Sequence, residues 1–297
     1  MDVKGKVAFV TGGASGIGLG MSLAFVNAGM RVVMADIRQD HIDEALARFE
    51  QAGQSEHVHG IRLDVTDREA YETAAATAEK VFGKVHVLCN NAGMGLVGAI
   101  RNAKFADWDW GLSVMLGGVV NGIQIFLPRI LRHGEGGQIV STSSMCGVLP
   151  ISNTAIYSTV KAALVGMSEA LRGELEADNI GVSAFCPGPV QTNIRETGKT
   201  RPEKYRDSGY LEHEKQLAER PNSPNWMSIE ECGERVLRGI QRNDLYIFTH
   251  PEFKAGVAER FECMMRYFPD EPPNAALVKE VGFLLHNPIF TRDRNPA

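Results

Sequence analysis

At 297 residues the chain is long enough for one large domain or two small ones. Hydrophobic residues make up 44% and charged residues 23%, ordinary globular values that exclude a disordered chain. A net charge of −5 gives no electrostatic reason to bind nucleic acid, and no apolar run reads as long enough to span a bilayer.

The chain opens Met1-Asp2-Val3-Lys4 and leads straight into an apolar run, Val7-Ala8-Phe9-Val10, with the look of a buried parallel strand. No secretory leader is expected. The run enters Thr11-Gly12-Gly13-Ala14-Ser15-Gly16-Ile17-Gly18, and a helix follows over about 16–28, ended by Gly29. Strand, glycine-rich turn and helix form the context of a dinucleotide site. Glycines let the backbone approach a pyrophosphate, and the helix start offers free N–H groups and a positive dipole end. A tight turn needing small residues would carry the same pattern.

Residues 31–35 read as the second strand, with Asp36 at its carboxyl end. An acidic residue about 20 beyond the glycines accepts hydrogen bonds from adenosine ribose hydroxyls and repels a 2′-phosphate, which favours NAD over NADP. Arg38 is near enough to face a phosphate, whereas Ser15 in the turn is not basic; a helix cap is the plainer role for Asp36. A helix over about 40–52, a strand over 57–63, a helix over about 67–81 and a strand over 85–89 follow, leading to Asn90-Asn91-Ala92-Gly93. The alternation implies right-handed crossovers and a parallel sheet covered on both faces. Ligands of such sheets bind beyond the strands' carboxyl ends, where Asp64, Asn90 and Gly93 fall. Asp64-Val65 is placed to meet an adenine, and Asn90 to tie neighbouring loops.

A long helix over 105–131 is expected, interrupted at Gly117-Gly118 and Gly122. A strand over 138–141 then delivers STSSMCGVLPISNTAIYSTVK at 141–161. From Asn153 to about Glu176, Ile156, Val160, Leu164, Met167, Leu171 and Leu175 recur at helical spacing. Tyr157 and Lys161 are one turn apart and share a face. An ammonium beside a phenol lowers its pKa from about 10, toward a value suited to exchanging protons with a carbonyl or an alcohol. An ordinary surface pair has the same spacing.

A sixth strand over 180–185 runs into Pro187-Gly188-Pro189-Val190-Gln191-Thr192. Residues 193–227 are polar, with Tyr205 and Tyr210 as anchors, and read as a substrate lid of short helices and irregular chain. A helix over 228–241, a strand over 245–249 and a helical tail to about residue 286 complete the prediction. The five cysteines, Cys89, Cys146, Cys186, Cys232 and Cys263, are scattered, without a C-x-x-C or Cys/His cluster. No metal site is expected, and reduced thiols point to a cytoplasmic protein.

Together these motifs resemble the short-chain dehydrogenase/reductase family over roughly residues 4–250. The resemblance rests on T-G-x-x-x-G-x-G at 11–18, N-N-A-G at 90–93, Ser144, Y-x-x-x-K at 157–161 and P-G-P-V-x-T at 187–192. It implies an α/β fold: a Rossmann-like, doubly wound sheet of about seven parallel strands in three α/β/α layers. Residues 1–250 form the dinucleotide-binding catalytic domain, and 251–297 a helical extension packed on the same domain or a neighbouring subunit. The resemblance also assigns roles. Tyr157 is the general acid/base, Lys161 lowers its pKa and holds the nicotinamide ribose, and Ser144 bonds the substrate oxygen. The expected NAD contacts are Gly12, Ser15, Gly16, Ile17, Gly18, Asp36, Ile37, Asp64, Val65, Asn91, Ala92, Gly93, Tyr157, Lys161, Pro187, Gly188, Val190 and Thr192, the last two at the nicotinamide amide. Relatives are commonly dimers or tetramers packed through the helices at 105–131 and 154–177, so a homodimer or homotetramer is expected.

One departure stands out. Met115, in Val114-Met115-Leu116-Gly117-Gly118-Val119, occupies the place where the family carries an asparagine that supports a proton relay. Methionine offers no comparable hydrogen bonding, and Asn121 is about 600° further round the helix. The relay is then expected to run by another route, such as a water held by backbone carbonyls near Gly117-Gly118. In the lid and tail, R-P-x-K-Y-x-x-S-G-Y at 201–210, Leu245-Tyr246-Ile247 and His250-Pro251-Glu252 resemble the Cα-dehydrogenases of lignin-derived aryl ethers, which oxidise a benzylic alcohol to an aryl ketone with NAD. Met94, Leu96, Met145, Leu149, Ile151 and Tyr210 would then form an apolar pocket for a small hydrophobic alcohol or ketone, unless they are core. Met94, Met145, Leu149 and Tyr210 are the chosen substrate contacts. A hydroxysteroid or other cyclic alcohol is the alternative substrate. A nucleotide-binding regulator without turnover, motivated by Met115, is the alternative class.

Overall fold

The computed structural model describes residues 1–291. The last six residues of the expected C-terminal extension lie outside the described residues. The elements run β1 (Val7–Thr11), α1 (Gly16–Asn27), β2 (Arg31–Asp36), α2 (Gln39–Gln51), β3 (Val58–Arg62), α3 (Arg68–Phe82), β4 (Val87–Asn90), α4 (Phe105–Gly111), α5 (Gly118–His133), β5 (Gly137–Thr142), α6 (Met145–Val148), α7 (Ala155–Glu174), β6 (Ile180–Cys186), α8 (Leu211–Ala218), α9 (Ile229–Arg242), β7 (Tyr246–Phe248), α10 (Lys254–Met265) and α11 (Ala275–Val281). Seven parallel strands form one sheet in the order β3-β2-β1-β4-β5-β6-β7. Chain order reverses between β1 and β4, which opens a crevice at the carboxyl ends of those two strands.

Strand residues alternate between the two faces, so each face is apolar and needs its own helical cover. Ala8, Val10, Val32, Met34, Val87 and Cys89 pack on the side of α1, α2 and α9. Val7, Phe9, Val33, Ala35 and Leu88 pack on the side of α3, α5 and α7. On the first side, α1 and α9 cross at backbone contact: a Cβ on Gly233 would stand 2.0 Å from the Gly20 carbonyl oxygen. On the second, Val119, Ile123, Phe126 and Ile130 form the buried stripe of α5.

Three sequence expectations need correction. The segment Phe105–His133 is long and apolar enough, by length and composition, to cross a membrane. Its apolar residues serve the sheet instead, through that stripe. The expected interruption by glycines is also different in kind. Gly118 and Gly122 lie inside α5 because a Cβ would meet Val65 at 2.6 Å and the Asn90 side chain at 2.2 Å. The irregularity sits just before them: Leu112–Gly117 is π-helical, a form that places an extra residue in the turn and frequently marks functional sites. Lastly, α6 was not foreseen; its single turn is too short for periodicity to reveal.

The tail meets the main domain at two places. Phe253 and Val257 pack against Met145, Val148 and Cys186, and Ile289 is buried beside α7. Between them Phe261, Met264, Met265, Tyr267 and Phe268 are exposed.

Candidate active site

The glycine turn leaves the end of β1. Gly12 has a φ of +61°, where side chains are disfavoured, and its Cβ would stand 3.1 Å from Ala92. Gly18 is required by contact, since its Cβ would lie 2.0 Å from the Gly12 carbonyl oxygen. Ser15 begins α1 without capping it by its side chain, and no acidic residue stands in the first turn. The first N–H groups and the positive end of the helix dipole are therefore free to receive an anion. This fits a pyrophosphate.

At the end of β2, Asp36 is buried, and its carboxylate accepts from the backbone N–H of Arg38 (3.1 Å) and Ala14 (3.4 Å). Burial raises its pKa, against those bonds. Arg38, beside it, already has acidic partners. It pairs with Asp40 and, at 3.6 Å, with Glu196 of the lid.

Asn91, not Asn90, ties the strand ends together. Its Nδ2 donates to the carbonyl oxygens of Thr11 (3.0 Å) and Gly12 (3.4 Å), and its Oδ1 accepts from Thr142 Oγ1 (3.3 Å). The Thr11 hydroxyl accepts from the backbone N–H of Asn91 and Ala92. Asn90 is buried facing α5, and neither side-chain atom has a partner. The expectation that Asn90 links the loops is thus corrected: strand alternation turns it away from them.

These ends border a cleft of about 320 Å³. It runs from Asp36 and Ile37, past Gly12, Ser15, Gly16 and Ile17 and past Asp64 and Val65, to Asn91, Ala92, Gly93, Tyr157, Lys161, Pro187 and Thr192. Three expected cofactor contacts are not on its wall. Gly18 is turned into the α1 packing, and Val190 is buried in the core beside α9. Gly188 borders a second cavity. Trp110, Val114 and Tyr205 line the cleft without having been singled out for it.

Ser144 lies two residues beyond β5 and caps α6, its Oγ accepting from the Cys146 N–H at 3.2 Å. Tyr157 stands in the first turn of α7, where the Ser144 hydroxyl favours its phenolate. Lys161, one turn on, is buried; its Nζ donates to the Thr142 carbonyl oxygen at 2.7 Å and lies 5.5 Å from the Tyr157 ring centre. Tyr157 is half-buried as a residue and stands on the wall of the cleft. Burial pushes its pKa up to about 12. Burial likewise pulls that of Lys161 down to about 8. The expected lowering of the tyrosine is therefore not met in this state. Desolvation outweighs the opposing effect of the Ser144 hydroxyl.

Tyr157 also borders the second cavity, of about 730 Å³. Ser144, Met145, Leu149, Ile151 and Tyr210 line it, as do Asn102, His213, Glu214 and Phe253, which sequence reasoning missed for want of any local pattern. Met94 borders the cofactor cleft instead, and Leu96 borders neither space; both are buried with Trp110 and Met115 in a small apolar cluster. Met115 sits within the π-helical turn, and Asn121 faces away, donating to the Val65 carbonyl oxygen at 2.9 Å. Among the described residues no group of three or more His, Cys, Asp or Glu is placed to hold a metal ion.

Comparison with known proteins agrees with this architecture. The model of the short chain dehydrogenase family matches residues 6–203. The C alpha-dehydrogenase of Sphingobium sp. is 38% identical over 266 residues, spanning 89% of this chain and 87% of that protein. A short chain dehydrogenase/reductase from Burkholderia phymatum, solved in complex with NAD, is 31% identical with a TM-score of 0.83, over 92% of this chain and 99% of that one. The apo form of LigO from Sphingobium sp. is 37% identical with a TM-score of 0.76, over 97% and 98%.

Proposed function

This chain belongs to the short chain dehydrogenase family, and we propose that it interconverts a bulky hydrophobic secondary alcohol, of benzylic or aryl ether type, and its ketone with NAD. The observation that carries the reading is the position of Tyr157, between a cofactor-shaped cleft and a larger, mainly apolar cavity. That cavity falls in the 300–1,000 Å³ range usual for small-molecule sites. Its likeness to the Sphingobium C alpha-dehydrogenase points the same way for substrate.

NAD, when bound, would supply the acceptor for the hydride leaving the alcohol carbon; the chain's own groups do the rest. Asp36 receives the adenosine ribose hydroxyls, and the bare start of α1 receives the pyrophosphate. Ser144 holds the substrate oxygen while Tyr157 takes its proton. With a pKa near 12, Tyr157 is protonated at neutral pH, the form that donates to a ketone. Alcohol oxidation needs the phenolate. Positive charge brought closer favours it, from Lys161 or from the cationic ring of NAD. A hydroxysteroid or other cyclic alcohol also suits an apolar cavity of this volume.

The test is reduction of NAD, and separately of NADP, by the purified protein with a panel of benzylic aryl ether and steroid alcohols. Turnover with NAD is expected, and Tyr157→Phe is expected to lose about 10²–10⁴ of it while still binding NADH. NADH binding with no turnover of any alcohol would instead favour a regulator. Free cysteines fit a reducing cytoplasm. Exposed Val120 and Leu131 on α5, with Tyr267 and Phe268 in the tail, favour a homodimer or homotetramer. A monomer by light scattering at micromolar concentration would remove that part of the proposal.

A further inference from the structure

Most of the lid lies beyond the residues that the family model matches. At its start, Arg201 is buried, its side chain 2% exposed. It meets two buried carboxylates: Asp107 at 3.2 Å, 0% exposed, and Glu214, 7% exposed. Its guanidinium also lies over the Trp110 ring, 4.1 Å from the ring centre, and donates to the Tyr205 carbonyl oxygen at 3.2 Å.

Asp107 belongs to the first turn of α4, where it accepts from the Lys104 N–H at 3.0 Å. It then reaches across to the lid, accepting from the Gly209 N–H at 3.0 Å and from the Ser208 hydroxyl. One buried carboxylate thus gathers three lid groups and its own helix start. Exposed ion pairs fix little. A buried pair resists opening, because separation leaves a charge uncompensated in the interior.

What the clasp holds is the partition between the two spaces. Tyr205 faces the cofactor cleft, and Tyr210 and Glu214 face the larger cavity. Both tyrosines pack in the apolar cluster that contains Trp110 and touches Tyr157. Arg201 itself lines neither space, so any effect it has on substrate must pass through them. We infer that Arg201 is a positioning residue: clasped by Asp107 and Glu214 over Trp110, it pins the lid as a fixed wall of the substrate cavity and so sets the fit of the alcohol. The inference rests on the larger cavity being the substrate site.

The test compares wild type, Arg201→Met, Arg201→Lys and Arg206→Ala in the full chain. Arg206 pairs with Glu203 in the open, on the same lid, and serves as control. Three readouts are taken: chymotryptic cleavage within the lid, NADH affinity by fluorescence, and the kcat and KM of the alcohol that wild type turns over. For Arg201→Met, cleavage should rise about tenfold and the alcohol KM about tenfold, with kcat within about threefold and NADH affinity within about twofold. Arg201→Lys keeps the charge without the planar fork and should fall between. Arg206→Ala should match wild type throughout. The inference is overturned if cleavage and KM stay at wild-type values. It is also overturned if KM, kcat and NADH affinity worsen together in step with Tm, which would make the residue merely structural. Should Arg201→Met fail to fold, Glu214→Gln removes one partner and leaves the stacking on Trp110; it should move cleavage and KM the same way by a smaller factor, and no movement overturns the inference. If wild type turns over no alcohol, the functional reading fails, while lid cleavage still decides whether Arg201 pins the wall.

Discussion

Replacing Lys161 by Met should abolish turnover and yet stabilise the cofactor-free protein at neutral pH. The folded pKa of Lys161 lies near 8, against 10.5 when unperturbed, because the residue is buried. Since the folded value is lowered, the penalty is full below pH 8, where both folded and unfolded chains carry the charge. It is relieved as pH rises from about 8 to 10.5, where the folded chain gives up its proton first. At about 1.36 kcal/mol per pKa unit, the drop from 10.5 to about 8 corresponds to a penalty of about 3 kcal/mol at pH 7, falling below about 1 kcal/mol at pH 10. Against this stands the bond from Nζ to the Thr142 carbonyl oxygen at 2.7 Å, which Met cannot make. A hydrogen bond from a charged donor contributes about 1.5–3 kcal/mol. The difference leaves the variant more stable by up to about 1.5 kcal/mol at pH 7, a rise of up to a few degrees in Tm. At pH 10 the folded lysine is neutral, its bond contributes only about 0.5–1.5 kcal/mol, and the variant's advantage should vanish. Tyr157, raised to about 12, costs both proteins stability as pH rises through about 10 to 12, and cancels in the comparison. Calorimetry of both proteins at pH 7 and pH 10, without cofactor, reads the difference at each. A variant less stable at both values would refute the claim that desolvation governs this lysine.

Two further outcomes bear on the frame around the site. Gly233→Ala places a Cβ 2.0 Å from the Gly20 carbonyl oxygen and forces α1 from α9. It should cost about 1–3 kcal/mol, seen as a lower denaturation midpoint with unchanged slope; an unchanged midpoint would mean that the helices have room to part. Met115→Asn buries an amide in the apolar cluster around Trp110. It should lower stability by about 1–3 kcal/mol and leave kcat unchanged, since proton relay is expected to use backbone groups of the π-helical turn. An increase in kcat would show that the missing amide limits the relay.

The parallel sheet, the succession of strands and helices along the chain, and a site beyond the strands' carboxyl ends were legible because they follow from local signals; the crevice between β1 and β4 emerges only from the strand order in the sheet. Apolar runs, glycine turns and acidic strand ends each act within a few residues of where they are read. The same holds for Ser144, Tyr157 and Lys161, whose spacing one helix turn and one strand end convert into proximity. What was not legible depends on distant neighbours. Asn90 and Asn91 are adjacent and chemically identical, yet strand alternation sends Asn91 to the loops and Asn90 beneath Gly122. Met94 and Leu96 were candidates for the pocket, but α4 and the π-helical turn close over them. Arg201, Asp107 and Glu214 come together only when the lid folds back onto α4, and no window of sequence holds all three.

Tyr157 shows most clearly where reading must give way to measurement of burial. Its distance from Lys161 is fixed by the helix, but the sign of its pKa shift is not. The helix sets an ammonium near the phenol; burial, which helical spacing does not encode, raises the phenol's pKa instead. Burial thus disfavours the phenolate of Tyr157 and the ammonium of Lys161 alike. A cationic nicotinamide ring, were it bound beside Tyr157, would favour the phenolate that alcohol oxidation requires.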